Sequence, residues 1–286
     1  MTFKHILFPV DLSDRSAGAA PHVKAMADRF SAKITLLHVM EPPIVYGDFG
    51  YLPPGDLCQL ELSQAKAQLA SFERDVFPFD SVDRIVQSGD PASVIEEHVK
   101  DRGIDLVMLP THGYGRFRRL LIGSVTAKLL HDLSIPIWTG VHMDELDRAA
   151  LVECRSIMCA IDLCPKSIAL MQFAAGLAAK CDAVVRLVHA VPSAEIRQEK
   201  YFDLELESYL KNHAREEIAN LQNKAGTQFD VCLEGGGVPE VVHAAALHHS
   251  ADLVVIGRGE LGNFLGRLRE NSYAIIRESP CPVLSV

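Results

Sequence analysis

The chain has 286 residues, a formal net charge of −9, 48% hydrophobic residues and 23% charged ones. That length suits two ordinary domains, and that composition is globular rather than disordered or fibrous. The acidic balance argues against nucleic acid or an anionic membrane as partner, and no run is long and apolar enough to read as a signal peptide or a membrane span.

In chain order, the apolar run ILFPV (6–10) reads as a buried strand ending at Asp11. Residues 16–30 carry Val23, Ala27 and Phe30 at helical spacing, with Ser13 or Asp14 as N-cap. ITLLHVM (34–40) is a second strand, and 41–57 form a Pro/Gly/aromatic loop placed to cover a ligand or dock a second domain. After SGDP (88–91), with Pro91 in the first turn, the spacing predicts a helix over 91–102. IDLVMLP (104–110) is another strand, and SIPIWTG (134–140) closes the unit.

The pattern then repeats. FKHILFPVD (3–11) faces CRSIMCAID (154–162), and His38 faces His189, both with an offset of 151 residues. IDLVMLP faces ADLVVIG (251–257), and SIPIWTG faces SPCPVLSV (279–286), where the offset has fallen to 146. Ordered landmarks of this kind imply two homologous domains, 1–143 and 152–286. Continuous Leu/Ile/Val runs alternating with amphipathic segments imply an α/β fold: two tandem doubly wound domains, each a five-stranded parallel sheet flanked by helices. In such a sheet the ligand lies beyond the strands' carboxyl ends, where the strand order reverses.

Seven cysteines without a CxxC point to a reduced, cytoplasmic protein, and the five-residue spacing of Cys154, Cys159 and Cys164 suits no zinc knuckle. His38 and His189 read as satisfied buried histidines. His243, His248 and His249 have no zinc-binding spacing, and Arg116, Arg118 and Arg119 are either a solvated basic stretch or phosphate contacts. Asp11 and Asp162 either cap the following helix or meet a ligand.

The segment LPTHGYGRFRRLLIGS (109–124) bears most on function. Gly113 and Gly115 permit close backbone approach, and a helix starting at Gly123-Ser124 presents unpaired amides and a positive dipole end to an anion. It contains neither a Walker A loop nor a Rossmann fingerprint. Gly113, the nine residues YGRFRRLLI, and Gly123-Ser124 resemble the closing part of the nucleotide motif of the universal stress protein family, with Pro110 where that motif begins in glycine. ILFPVDLSDRS and LLHV resemble the family's first two strands. The resemblance extends over nearly the whole chain, in two copies.

The resemblance implies an adenine nucleotide in the first domain. Pro9, Val10 and Asp11 would border the base, and Val39 would contact it through its backbone. Leu109, Pro110, Gly113, Arg116, Gly123, Ser124 and Val125 would line ribose and phosphates. ATP is the expected ligand, with Mg²⁺ as companion and AMP or ADP as alternatives. In the second copy Gly257 falls on Pro110, and Arg269-Glu270 fall on Gly123-Ser124, which removes the phosphate seat. The expectation is a nucleotide-dependent stress-response protein acting on an unknown protein partner. Its halves would form an intramolecular pseudo-dimer through strands 136–140 and 282–286, with a homodimer also open. The alternatives are a scaffold for a non-nucleotide ligand or protein, with both nucleotide sites degenerate, and a slow ATPase using Ser124, His112 and Mg²⁺ to position water. No catalytic triad, carboxylate pair or metal signature is recognisable.

Overall fold

Strands buried on both faces are mostly apolar: Ile6, Leu7, Phe8, Leu106, Val107 and Met108 are all fully buried. The computed structural model describes residues 2–41, 54–110, 122–140, 154–192, 204–258 and 266–286. The first half consists of β1 (His5–Pro9), α1 (Asp14–Phe30), β2 (Lys33–Met40), α2 (Pro54–Ser71), β3 (Asp83–Ser88), α3 (Pro91–Arg102), β4 (Leu106–Pro110), α4 (Ser124–Asp132) and β5 (Ile137–Gly140). The second repeats it with β6 (Ser156–Ala160), α5 (Lys166–Cys181), β7 (Val184–Val191), α6 (Leu204–Ala225), β8 (Asp230–Gly235), α7 (Val238–His248), β9 (Leu253–Ile256), α8 (Gly266–Glu278) and β10 (Val283–Ser285).

Local chemistry sets the helix ends. Ser13 caps α1, accepting from Ser16 N, and Asp90 caps α3, its Oδ2 2.9 Å from Ser93 N, with Pro91 following in the first turn. Gly103, at φ 64°, ends α3 in the left-handed conformation that glycine adopts at little steric cost.

The strands form one ten-stranded sheet in the order β3-β2-β1-β4-β5-β10-β9-β6-β7-β8. Every neighbouring pair is parallel except β5 with β10, which run antiparallel with Trp138 opposite Leu284. Each half therefore has two outer strands on one side and two on the other, and its order reverses between β1 and β4 or between β6 and β9. The shared seam also leaves neither closing strand as an open edge. Alternation along the strands divides the core. Ile6, Phe8 and Leu36 join one apolar layer under α1, α2, α5 and α6; Leu7, Leu37 and Val107 join the other under α3, α4, α7 and α8. Both layers run through the two halves.

Side chains reinforce the seam. Thr139 Oγ1 donates to Val283 O at 3.1 Å, and the Tyr273 hydroxyl on α8 donates to Ala127 O on α4 at 3.1 Å. Phe3 meets Phe173 at 6.5 Å between ring centroids, and Arg29 Nη1 donates to Cys181 O at 3.3 Å. The strand pairing expected at 136–140 and 282–286 is present.

Candidate functional site

The first half's strand order reverses between β1 and β4, and parallel pairing brings Pro9, Val39 and Pro110 to the carboxyl-end edge of the sheet. Val10 is buried and its N–H donates to Leu37 O at 2.9 Å, which extends the β1–β2 ladder past the end of β1. Asp11 lies just beyond, and its Oδ1 accepts from Ser13 N at 3.0 Å, Ser13 Oγ at 2.5 Å and Ser16 Oγ at 2.6 Å. This carboxylate shapes the turn into α1, which passes through Leu12 at φ 62°. His38 Nδ1–H donates to the Val10 carbonyl at 2.9 Å, so the ring ties the end of β2 to the end of β1 and its tautomer is fixed. That is a structural bond, as expected of a satisfied histidine.

Leu109 is buried at the end of β4, and Pro110 lies in register with Gly140 of β5. A proline there contributes no ladder donor. Helix α4 runs back along the sheet, and Lys128 in its second turn reaches Asp90 Oδ2 at 3.1 Å at the start of α3, so the α4 N-terminus lies on the carboxyl-end side. Gly123 is its N-cap, with no side-chain hydrogen bond and no acidic residue in the first turn. Ser124 is exposed, and Val125 is half-buried against the second core layer. With glycine at the N-cap and no acid in the first turn, the first amides of the helix have no intrahelical acceptor and sit at the positive end of its dipole. Gly113, Arg116 and His112 lie outside the described residues.

The second half repeats the frame with different contents. Asp162 Oδ1 accepts from Cys164 N at 3.1 Å and Ser167 Oγ at 2.8 Å, and His189 Nδ1–H donates to Ile161 O at 2.9 Å. Here a crevice of about 830 Å³, its mouth included, runs between β6, β7, β9 and the helices α5, α7 and α8. Ala160 holds the place of Pro9 and Gly257 that of Pro110, so two prolines are exchanged for two of the smallest residues. Burial pushes up the Cys164 thiol on its wall, and the Asp162 carboxylate adds to that shift, so it stays protonated at neutral pH.

The two closing helices differ in length. Helix α4 has nine residues and α8 thirteen; Asp132 and Glu278 match at their ends, so α8 starts a full turn early. Arg269 and Glu270, which replace Gly123 and Ser124, therefore lie inside α8, where amides bond to carbonyls four residues back. This crevice escaped sequence reasoning, although the paired loss of Pro9 and Pro110 was a readable sign of it. Arg258, on the same wall, also went unmarked. Its Nη1 donates to Leu133 O at 2.7 Å and its Nη2 to Ile135 O, both in the first half, and burial lowers its pKa to about 10.

Repeated five-stranded units, each reversing its strand order beside its first strand and joined through their closing strands, define a tandem doubly wound α/β architecture. The universal stress protein family model matches residues 2–139 and again 153–286, and the chain belongs to that family. It is 31% identical over 116 residues to Universal stress protein A of Photorhabdus laumondii, covering 39% of this chain and 78% of that one. Identity to Universal stress protein MJ0577 of Methanocaldococcus jannaschii is 25% over 150 residues, covering 47% and 93%. The crystal structure of a universal stress protein from Archaeoglobus fulgidus shares the fold across both halves, with a TM-score of 0.70, 20% identity, and 99% and 97% of the two chains covered.

Proposed function

We propose that the first half binds ATP or a related adenine nucleotide, and that occupancy is signalled to a protein partner. The observation that carries this reading is the α4 N-terminus, with glycine at its N-cap and no acidic residue in its first turn, on the carboxyl-end side of the sheet. The residues fit the parts of such a ligand. Pro9 and Val10 offer apolar surface to a base, and Gly123 and Ser124 offer close backbone approach and amides to phosphate. Membership of the universal stress protein family supports the reading, as do the residues shared with the family's nucleotide motif. Mg²⁺ would accompany the phosphates. The fused seam serves as a built-in pseudo-dimer. Scattered cysteines without a CxxC favour the cytoplasm as its compartment; no helix among the described residues is long and apolar enough to cross a membrane.

This reading makes phosphate the main source of affinity. Titration calorimetry with ATP, ADP, AMP and adenosine is expected to show affinity falling along that series, by about a hundredfold overall, the size of roughly two lost charge-assisted bonds. Equal affinity for ATP and adenosine would remove α4 from the site.

A further inference from the structure

Two thiols meet where the second half begins. Ser156 pairs with Val184 across β6 and β7, and Val184 N donates to Arg155 O at 2.8 Å. The chain entering β6 and the chain leaving α5 therefore run side by side. Cys154 lies just before that junction, and Cys181 is the last residue of α5, followed by the left-handed turn at Asp182. Both thiols are free and buried, at 9% and 7% exposure, in the same apolar layer. Their side chains hydrogen-bond to each other.

The two sulfurs have different neighbours. Arg29 arrives from α1 of the first half; its Nη1 donates to Cys181 O at 3.3 Å, and its side chain also bonds to the Cys181 thiol. Asp252 Oδ2 accepts from Arg155 N at 2.8 Å and Ser156 N at 2.9 Å, which sets a carboxylate near Cys154. The hydrogen bond from Cys154, with Arg29 behind it, holds Cys181 below the ordinary thiol range. The same bond, burial and Asp252 push Cys154 up. The pair therefore shares one proton, kept on Cys154, and its thiolate forms on Cys181.

We propose that Cys154 and Cys181 are a peroxide-sensing thiol pair that closes into a reversible disulfide, with Cys181 attacking and Cys154 resolving. The proposal does not depend on nucleotide binding. The Cys181 thiolate attacks one peroxide oxygen, the O–O bond breaks, and sulfenic acid and hydroxide are formed. The Cys154 sulfur then displaces the sulfenic oxygen, which leaves as water with the Cys154 proton. Two electrons pass from the thiols to the peroxide, and the products are one disulfide and water. Oxidation ties the entry of β6 to the end of α5 and removes the thiolate that faces Arg29 of the first half. A transient, peroxide-driven bond of this kind suits a reducing compartment.

The full chain is treated with equimolar hydrogen peroxide at neutral pH, capped with N-ethylmaleimide and digested with trypsin without reduction. Cleavage after Arg148, Arg155, Lys180 and Arg186 leaves Cys154 and Cys181 on separate peptides, 149–155 and 181–186, each free of other cysteines. The expected result is those two peptides joined as the dominant crosslink, lost on adding dithiothreitol. In Cys154→Ser, dimedone should label Cys181 and the crosslink should vanish; in Cys181→Ser, Cys154 should stay unlabelled. Treatment in urea should scatter the crosslinks among the cysteines. Absence of the joined peptides from the folded wild type would overturn the proposal. So would comparable yields of other pairs, the same preference in urea, or dimedone on Cys154 in Cys181→Ser. Should a serine variant fail to fold, the wild-type crosslink map still decides.

Discussion

Arg258→Ala is expected to destabilise the chain by about 3 kcal/mol, the scale of two hydrogen bonds from a charged donor to part-buried carbonyls. The residue belongs to the second half but works on the first. Its Nη1 donates to Leu133 O at 2.7 Å and its Nη2 to Ile135 O, while its own N–H donates to Val286 O at 2.8 Å. One side chain thus holds the turn between α4 and β5 against the end of β10. Alanine leaves both carbonyls without that donor and removes the stem that packs beside them. Arg258→Lys should recover little, because an ammonium cannot span two acceptors as a planar fork does. The assay is urea unfolding followed by the fluorescence of Trp138, the chain's single tryptophan, which is 3% exposed and in register with Leu284 across the seam. An unchanged midpoint would mean that the β5–β10 ladder holds the halves together without the arginine.

The second large effect is a loss of stability in mild acid, traced to His22. Its ring lies on α1 against Trp138, at 5.8 Å between centroids, and its Nδ1 is buried without a hydrogen-bond partner. Burial lowers its pKa from 6.5 to about 4. Above pH 6.5 the ring is neutral whether the chain is folded or not, and it contributes no pH dependence. As pH falls from 6.5 to 4, the unfolded chain takes up a proton that the folded chain refuses, so stability declines across that window and levels off below it. A shift of that size is worth about 3 kcal/mol. His22→Leu should therefore flatten the profile of unfolding free energy between pH 7 and pH 4, measured by circular dichroism. His98, also lowered by burial, adds a smaller slope of the same sign. Asp90, held at about 2 chiefly by Ser93, acts lower, where its stabilising contribution is lost as pH falls from 3.8. A parallel profile in His22→Leu would place the acid sensitivity elsewhere.

The features that followed from the sequence are those with local causes. The Asp90-Pro91 start of α3 and the Ser13 cap of α1 depend on neighbours a few residues apart, and the structure places both as expected. The duplicated strand pattern specified two halves, because a parallel strand buried on both faces is built mostly from apolar residues. The closing-strand seam followed from two short strands that would otherwise be edges. What was not legible depends on partners far along the chain. Arg258 reads as a loop arginine until Leu133 and Ile135, more than a hundred residues away, arrive beside it. His22 reads as a helix histidine until Trp138 covers it. In the second half, aligning Arg269-Glu270 on Gly123-Ser124 showed that a phosphate seat was gone. It did not show that the helix had grown by a turn, or that Ala160 and Gly257 leave a crevice lined by aliphatic side chains. Of the first-half site, Pro9, Val10, Asp11, Val39, Leu109, Pro110, Gly123, Ser124 and Val125 lie at or beside one sheet edge, and Asp11 proves to be committed to its own turn.

The nucleotide reading is tested most directly by what the purified protein carries. Freshly prepared wild type and Gly123→Glu would be denatured and the supernatants separated by anion exchange beside nucleotide standards. Gly123 sits at φ −58° and ψ 147°, a conformation open to any residue, and an acidic side chain at a helix start favours the helix while repelling phosphate. Adenine nucleotide released by the wild type and missing from a folded Gly123→Glu is the predicted result, and it would place the phosphates on α4. Wild type that carries no nucleotide, and binds none when ATP is returned at millimolar concentration, would contradict the account and leave 109–124 as a strand-to-helix connection.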